Sequence, residues 1–224
     1  MPRVHDISLA VEPGLPTWPT SEGFRTRWAM RIDQGDSANV TVLEADVHTG
    51  THVESGLHFL ADGDALDRTP IERFVGPAVV VEIGGGEVTA AALDSAAIPA
   101  GATRLLVKTR NSARWAAGWG EFDTEYVALT PDAAAWVVEH GLQLVGLDYL
   151  SIQRYADSGE THRVLMRARV TILEGLNLAG VEPGEYTLVC APIKLTGTEA
   201  APARALLFDG PRRPPMTERM DLRA

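Results

Sequence analysis

The sequence predicts an α/β fold in a single domain. Three observations carry that reading: short β-branched runs bounded by Gly, Pro or polar residues, helix-capping signals lying between them, and no internal repeat or low-complexity linker. At 224 residues the chain fits one large domain. With 45% apolar and 22% charged residues it can bury a substantial core without staples.

Along the chain, ANVTVLEADV (residues 38–47) is expected as a strand leading directly into a histidine-rich segment. AVVVEI (Ala78 to Ile83) is the first of the strongly apolar strands. A soft helix is expected from Thr89, as cap, to Ile98, where Pro99 ends it. LLVKT (Leu105 to Thr109) is the next strand. TPDAAAWVVEHG then carries the best helix signal: Thr130 as cap, Pro131 at the first helical position, Asp132 in the first turn and Gly141 as the stop. In it, Trp136, Val137 and His140 recur at helical spacing. LQLVGLD (Leu142 to Asp148) is a strand, a third helix is expected to start at Thr161 and run through HRVLMRAR, and YTLVCAPIKL (Tyr186 to Leu195) is the last strong strand. The domain is placed at residues 1–210. The Pro- and charge-rich PRRPPMTERMDLRA (211–224) is expected as an extended C-terminal arm.

Net charge is −10, and no block of Lys/Arg could track a phosphate backbone. Nucleic acid and anionic membranes are therefore poor partners. The N-terminal MPRVHDISLAVEPG lacks the apolar core of a signal peptide, and no apolar run approaches the roughly 20 residues of a membrane span. These features point to a cytoplasmic protein. Cys190, the single cysteine, excludes an internal disulfide and lies in the apolar run YTLVCAPI, which favours a buried structural thiol over a nucleophile.

The stretch HTGTHVESGLHF (His48 to Phe59) holds three of the six histidines within eleven residues. Imidazole is both a common transition-metal ligand and the usual proton carrier near neutral pH. Such a cluster is a metal site, a proton relay or a polar loop. His48 and His52 have the i, i+4 spacing of metalloprotease helices, but Thr49, Gly50 and Thr51 make a poor helix interior. A loop is expected instead, in which Gly50 lets both imidazoles turn toward one point. With Glu54 as an oxygen donor and His58 in reach, the set suits Zn²⁺ or Mn²⁺ with an open position.

The same stretch resembles the signature of the cyclase-family metal hydrolases, the group that contains bacterial kynurenine formamidase and isatin hydrolase, whose pattern is His-x-Gly-Thr-His-x-Asp-x-Pro-x-His. The resemblance extends through DISL, PTWP, FVGPAVVVEI, GLDYLSI, HRVLMRARVTILEGLNL and PIKLTGTEAAPARALL, nearly the whole chain. It implies a swivelling β/β/α domain, a dimer or higher oligomer, and one or two divalent ions. It further implies that His48, His52, Glu54, His162 and Glu174 are metal ligands, His58 the proton-transfer residue and Trp18 a substrate contact. Glu174, inside the apolar VTILEGLNL, needs a partner if buried, and a metal suffices. His5 and His140 are left without a role.

Two positions depart from the pattern. Residue 54 is Glu rather than Asp, one methylene longer, and residue 56 is Gly rather than Pro, which removes a fixed φ and loosens the loop toward His58. The activity implied is hydrolysis of an amide-like or lactone-like bond in a small cyclic or N-acylated aromatic substrate, with His58 shuttling the proton and Trp18 as an apolar wall. The alternatives are a metal-dependent cyclase or isomerase, and a degenerate member that binds metal or ligand without turnover.

Overall fold

A computed structural model describes residues 3–118 and 120–209; the arm expected at 211–224 lies outside them. In chain order the strands and helices are β1 (Val4–Asp6), β2 (Arg25–Met30), β3 (Val40–Glu44), β4 (His52–Glu54), β5 (Val75–Glu82), α1 (Ala90–Asp94), β6 (Arg104–Lys108), α2 (Ser112–Ala116), α3 (Pro131–Glu139), β7 (Leu144–Leu147), α4 (Glu160–Arg167), β8 (Thr171–Glu174), β9 (Gly184–Pro192) and β10 (Ala200–Asp209). The fold is α/β.

The main sheet runs β1-β10-β4-β8-β7-β6-β5-β9, and β9 pairs again with β10. Seven strands thus close into a ring, with β1 attached outside on β10. The pairs β5–β6, β6–β7 and β7–β8 are parallel, and their crossovers carry the helices. Side chains alternate across the strands. Val53, Ala78, Val80, Leu106, Leu144, Leu173, Leu188 and Cys190 fill one core, whereas Val79, Val81, Leu105, Val107, Val145, Leu147 and Ile172 pack in a second with Leu129, Val137 and Leu165. Strands buried on both faces read as continuous apolar runs, which is why β5, β6 and β7 were visible in the sequence. Burial pushes the Cys190 thiol up to about 12, as a structural thiol requires.

α3 begins with Pro131 as expected, but the Thr130 hydroxyl donates to Val88 O at 3.0 Å instead of capping the helix. α1 is shorter than the run to Ile98: the Ser95 hydroxyl donates back to Ala91 O at 2.9 Å and the chain leaves the helix there. At the end of β7, the buried Asp148 carboxylate accepts from Thr109 N (2.7 Å), Thr109 Oγ1 (2.8 Å), Ser112 N (3.0 Å) and Ser112 Oγ (2.7 Å). This staples the start of α2 to the neighbouring strand.

Residues 38–47 do not feed a strand straight into the histidines. β3 stops at Glu44 and pairs with β2 alone, forming a separate hairpin. A turn follows because Asp46 Oδ1 accepts from His48 N at 3.0 Å and Thr49 Oγ1 at 3.2 Å. Nor are both histidines on a loop: His48 is in the turn, but His52 and Glu54 lie on β4, between β10 and β8.

Candidate metal centre

Strand alternation sets the first two side chains. Val53 faces the interior core, so His52 and Glu54 share the opposite face of β4. Glu174 is the cross-strand partner of His52 on β8, and on the same face as it. His162 comes in from the first turn of α4. Two positive-φ glycines let the backbones close up here: a Cβ on Gly175 (φ +68°) would lie 2.3 Å from Gly50 O. That carbonyl has a use, since it accepts the Nδ1–H of His52 at 2.9 Å. Gln153 Oε1 does the same for His162 Nδ1 at 2.9 Å. Both rings are therefore held with Nε2 turned inward.

Inward, the donors converge. Glu54 Oε1 is 2.9 Å from His48 Nδ1, 3.3 Å from His52 Nε2 and 3.5 Å from His58 Nε2. Glu54 Oε2 and Glu174 Oε1 are each 3.3 Å from His162 Nε2, and Glu174 Oε2 is 3.3 Å from His52 Nε2. Glu174 Oε1 also accepts Ile152 N at 2.6 Å. The extra methylene of Glu54 places its carboxylate in the middle of the group. His48, Glu54 and His58 offer atoms within 4.8 Å of one another, and so do His52, Glu54 and Glu174; Glu54 belongs to both sets.

The electrostatics call for a cation. Burial raises the pKa of Glu54, but His162, His48 and His52 hold it well below the usual carboxylate value. Burial and the nearby Glu54 charge likewise act upward on Glu174, yet His162 and His52 leave it lowered. In return, burial would lower His52 and His162, and the two carboxylates instead drive them up to about 10 and about 9. Two buried carboxylates thus keep protons on two buried imidazoles. A divalent ion answers the same demand, displacing those protons as it binds. Glu54 Oε2 is buried and lacks a hydrogen-bond partner among the described residues, since His162 faces it without alignment. The donor set fits a metal.

His58 stands on the rim, from a turn at Gly56–His58, with its ring 4.3 Å from that of His48. Burial lowers its pKa below 6.5, so it is a neutral acceptor near pH 7. The Gly56 loop is not loose: Leu57 N donates to Asp64 O (3.1 Å) and Leu60 N to Gly56 O (3.0 Å), and Gly63 packs on the Gly56 backbone. A pocket of about 350 Å³ opens above the donors, lined by Trp18, Ser21, His48, Phe59, Ser151 and His162 among others. The Trp18 ring meets Phe122 and Tyr155, each at 5.3 Å, and Phe59 stacks on His162 at 4.3 Å.

Six of the seven residues singled out from the sequence line this pocket, and the seventh, His52, is buried against Glu54 and Glu174. His5 binds Asp209 (2.8 Å) and His140 packs on Trp136, both away from it. Asp46, Gln153 and Glu199, the last 3.3 Å from His48 Nε2, were missed; only Asp46, in a turn-forming position before His48, had a local signal.

A family model described as "Putative cyclase" matches residues 5–154. Cyclase-like protein 3 of Arabidopsis thaliana is 38% identical over 215 residues, spanning 92% of this chain and 79% of that protein. The kynurenine formamidase of Salinibacter ruber is 35% identical over 214 residues, spanning 92% and 97%. A solved structure described as a potential metal-dependent hydrolase with cyclase activity superposes with a TM-score of 0.81 at 31% identity, covering 96% of this chain and all of that one.

Proposed function

The chain belongs to the cyclase family, and on that premise we propose that it is a metal-dependent hydrolase of amide-like or lactone-like bonds in small cyclic or N-acylated aromatic compounds. The observation that carries this reading is the buried pair of donor sets sharing Glu54, beneath an aromatic-walled pocket. His48, His52, Glu54, His162 and Glu174 are the proposed ligands. Their mixed imidazole and carboxylate donors suit Zn²⁺ or Mn²⁺, and the shared Glu54 has room for one or two ions.

Held there, a divalent ion supplies Lewis acidity toward a substrate carbonyl and makes nearby water more acidic. The protein's own groups do the rest. Trp18 and Phe59 line the pocket and offer rings to an aromatic substrate, and Phe122 and Tyr155 pack against Trp18 and fix its ring. His58, neutral at pH 7 and outside the most buried donors, accepts the proton of the attacking water and returns it to the leaving nitrogen or oxygen. Kynurenine formamidase activity in the Salinibacter relative supports an N-formyl or related aromatic amide as the substrate class.

The oligomer is proposed from the β2–β3 hairpin. A lone two-stranded hairpin is marginal in water, and this one exposes Trp28, Leu43 and, at its end, Ile32. A second copy is the proposed cover: Arg25 and Arg27 give the hairpin a basic strand, and the chain as a whole carries −10. The location proposed is the cytoplasm, on the strength of the single buried Cys190; among the described residues no helix is long and apolar enough to cross a membrane.

The test is metal analysis of protein purified without chelator, with product analysis on N-formyl and cyclic aromatic amides and lactones. Stoichiometric metal and release of a carboxylic acid, both lost in His52→Ala, are expected. An isomeric product would move the enzyme to the cyclase reading, and full hydrolysis by metal-stripped protein would refute the reading outright.

A further inference from the structure

Three of the four imidazoles around Glu54 share a pattern. Each turns one ring nitrogen inward and gives the other to an oxygen: His52 Nδ1 to Gly50 O, His162 Nδ1 to Gln153 Oε1, and His48 Nε2 to Glu199 Oε1 at 3.3 Å. His48 is the exception in two ways. It faces Glu54 through Nδ1, at 2.9 Å, and its outer acceptor is a carboxylate.

We propose that Glu199 is a positioning residue for His48, accepting its Nε2–H and so holding the ring in the tautomer whose Nδ1 lone pair points at the metal centre. A ligand histidine tied to a carboxylate is oriented and made more basic than one tied to a neutral oxygen. His48 needs such help more than the others. It stands in a turn and is partly exposed, while His52 and His162 are buried on a strand and a helix.

Glu199 is itself firmly placed. Its carbonyl accepts from Ser55 N (2.9 Å) and Ser55 Oγ (3.0 Å), and the next residue, Ala200, is the β10 partner of Glu54. Thr198 O accepts Leu66 N at 2.9 Å on the other side. These bonds use the backbone, so a change of the Glu199 side chain leaves the segment anchored.

The inference rests on the reading of the site as a metal centre, and the experiment separates the two. Apo protein is titrated with Zn²⁺ and with Mn²⁺ against a chromogenic chelator, for wild type, Glu199→Gln, Glu199→Ala, His48→Ala and the His48→Ala/Glu199→Ala pair. Glu199→Ala is expected to weaken binding roughly 10- to 100-fold. Glu199→Gln, which keeps an accepting oxygen, should lose less, and the effect of Glu199→Ala should vanish once His48 is alanine. A loss of equal size in the His48→Ala background would overturn the proposal, as would a Glu199→Ala protein within twofold of wild type. Imidazole ¹⁵N shifts of the Zn²⁺-loaded protein give a readout other than affinity: His48 carrying its proton on Nε2, with that resonance shifted in Glu199→Ala, supports the proposal, and His48 bound through Nε2 with its proton on Nδ1 overturns it. Wild-type protein that takes up no metal would overturn the reading of the site, whereas metal uptake unchanged in Glu199→Ala overturns the role of Glu199 alone.

Discussion

Replacing Gly175 by alanine tests the link between backbone packing and the metal centre. At φ +68° an L side chain is strained, at a cost of roughly 1–2 kcal/mol. The added Cβ would also lie 2.3 Å from Gly50 O, where ordinary contact begins at 3.4 Å, so the two segments must part by about 1.1 Å. No flexible side chain can yield here, because both sides are backbone. Strain and collision together should cost about 2–4 kcal/mol, which for a chain of this size lowers Tm by roughly 5–15 °C. The carbonyl that must move is the one holding His52 Nδ1 at 2.9 Å, so metal affinity should fall about 10- to 100-fold as well. Gly141→Ala is the control: φ is +71° but a Cβ there meets nothing within 4 Å. It should show the strain alone, with unchanged metal binding. Thermal unfolding of the apo proteins and metal titration give both readouts. If Gly175→Ala matched Gly141→Ala in each, the packing argument would be wrong.

His58→Ala should keep its metal and lose on the order of 10²-fold or more in kcat; metal lost in parallel would make His58 a ligand. Because burial lowers the His58 pKa, its basic form persists below pH 6.5, and the acid limb of kcat/KM should have its midpoint there; a midpoint at or above 6.5 would exclude His58 as the base. Glu54→Gln should bind metal more weakly than wild type, and Glu54→Asp should differ from both, since its carboxylate stops one methylene short of the three imidazoles around Glu54 Oε1; equal affinity in all three would remove Glu54 from the site. Asp148→Asn turns two donors toward Thr109 and Ser112 groups that need an acceptor and should destabilise the fold by about 2–4 kcal/mol with metal affinity intact. A stability change under about 0.5 kcal/mol would mean that the staple is dispensable.

What could be read from the sequence follows from burial on two faces or from rare residues. β5, β6 and β7 announce themselves because both faces are apolar, and the histidines because there are so few. β4 gave no strand signal: three residues, two of them polar, take their strand geometry from the pairing with β8 and β10. β3 has good strand residues but no place in the ring, which propensity alone does not reveal. β8 and β10 were passed over, the first seen only as context for Glu174. Gln153 and Glu199 were invisible for a different reason. Glu199 is 151 residues from the histidine it touches, and nothing local marks it as a neighbour.

The ring has a consequence for how the gene can change length. His52 and Glu54 face the pocket, and Val53 the core, only because the chain is counted off in twos along β4. One codon gained or lost inside β4 would reverse the facing of every strand residue on one side of the change, so that the histidine and the glutamate could no longer share the pocket face and metal site and packing would fail together. Nearby, the Gly50–Gly175 contact leaves no slack to absorb the shift. The turn at Gly84, Gly85 and Gly86 is the opposite case, with nothing within 4 Å of any added Cβ. Insertions and deletions should therefore accumulate at that turn among descendants of this sequence, while residues 50–56 keep their spacing even as their identities drift.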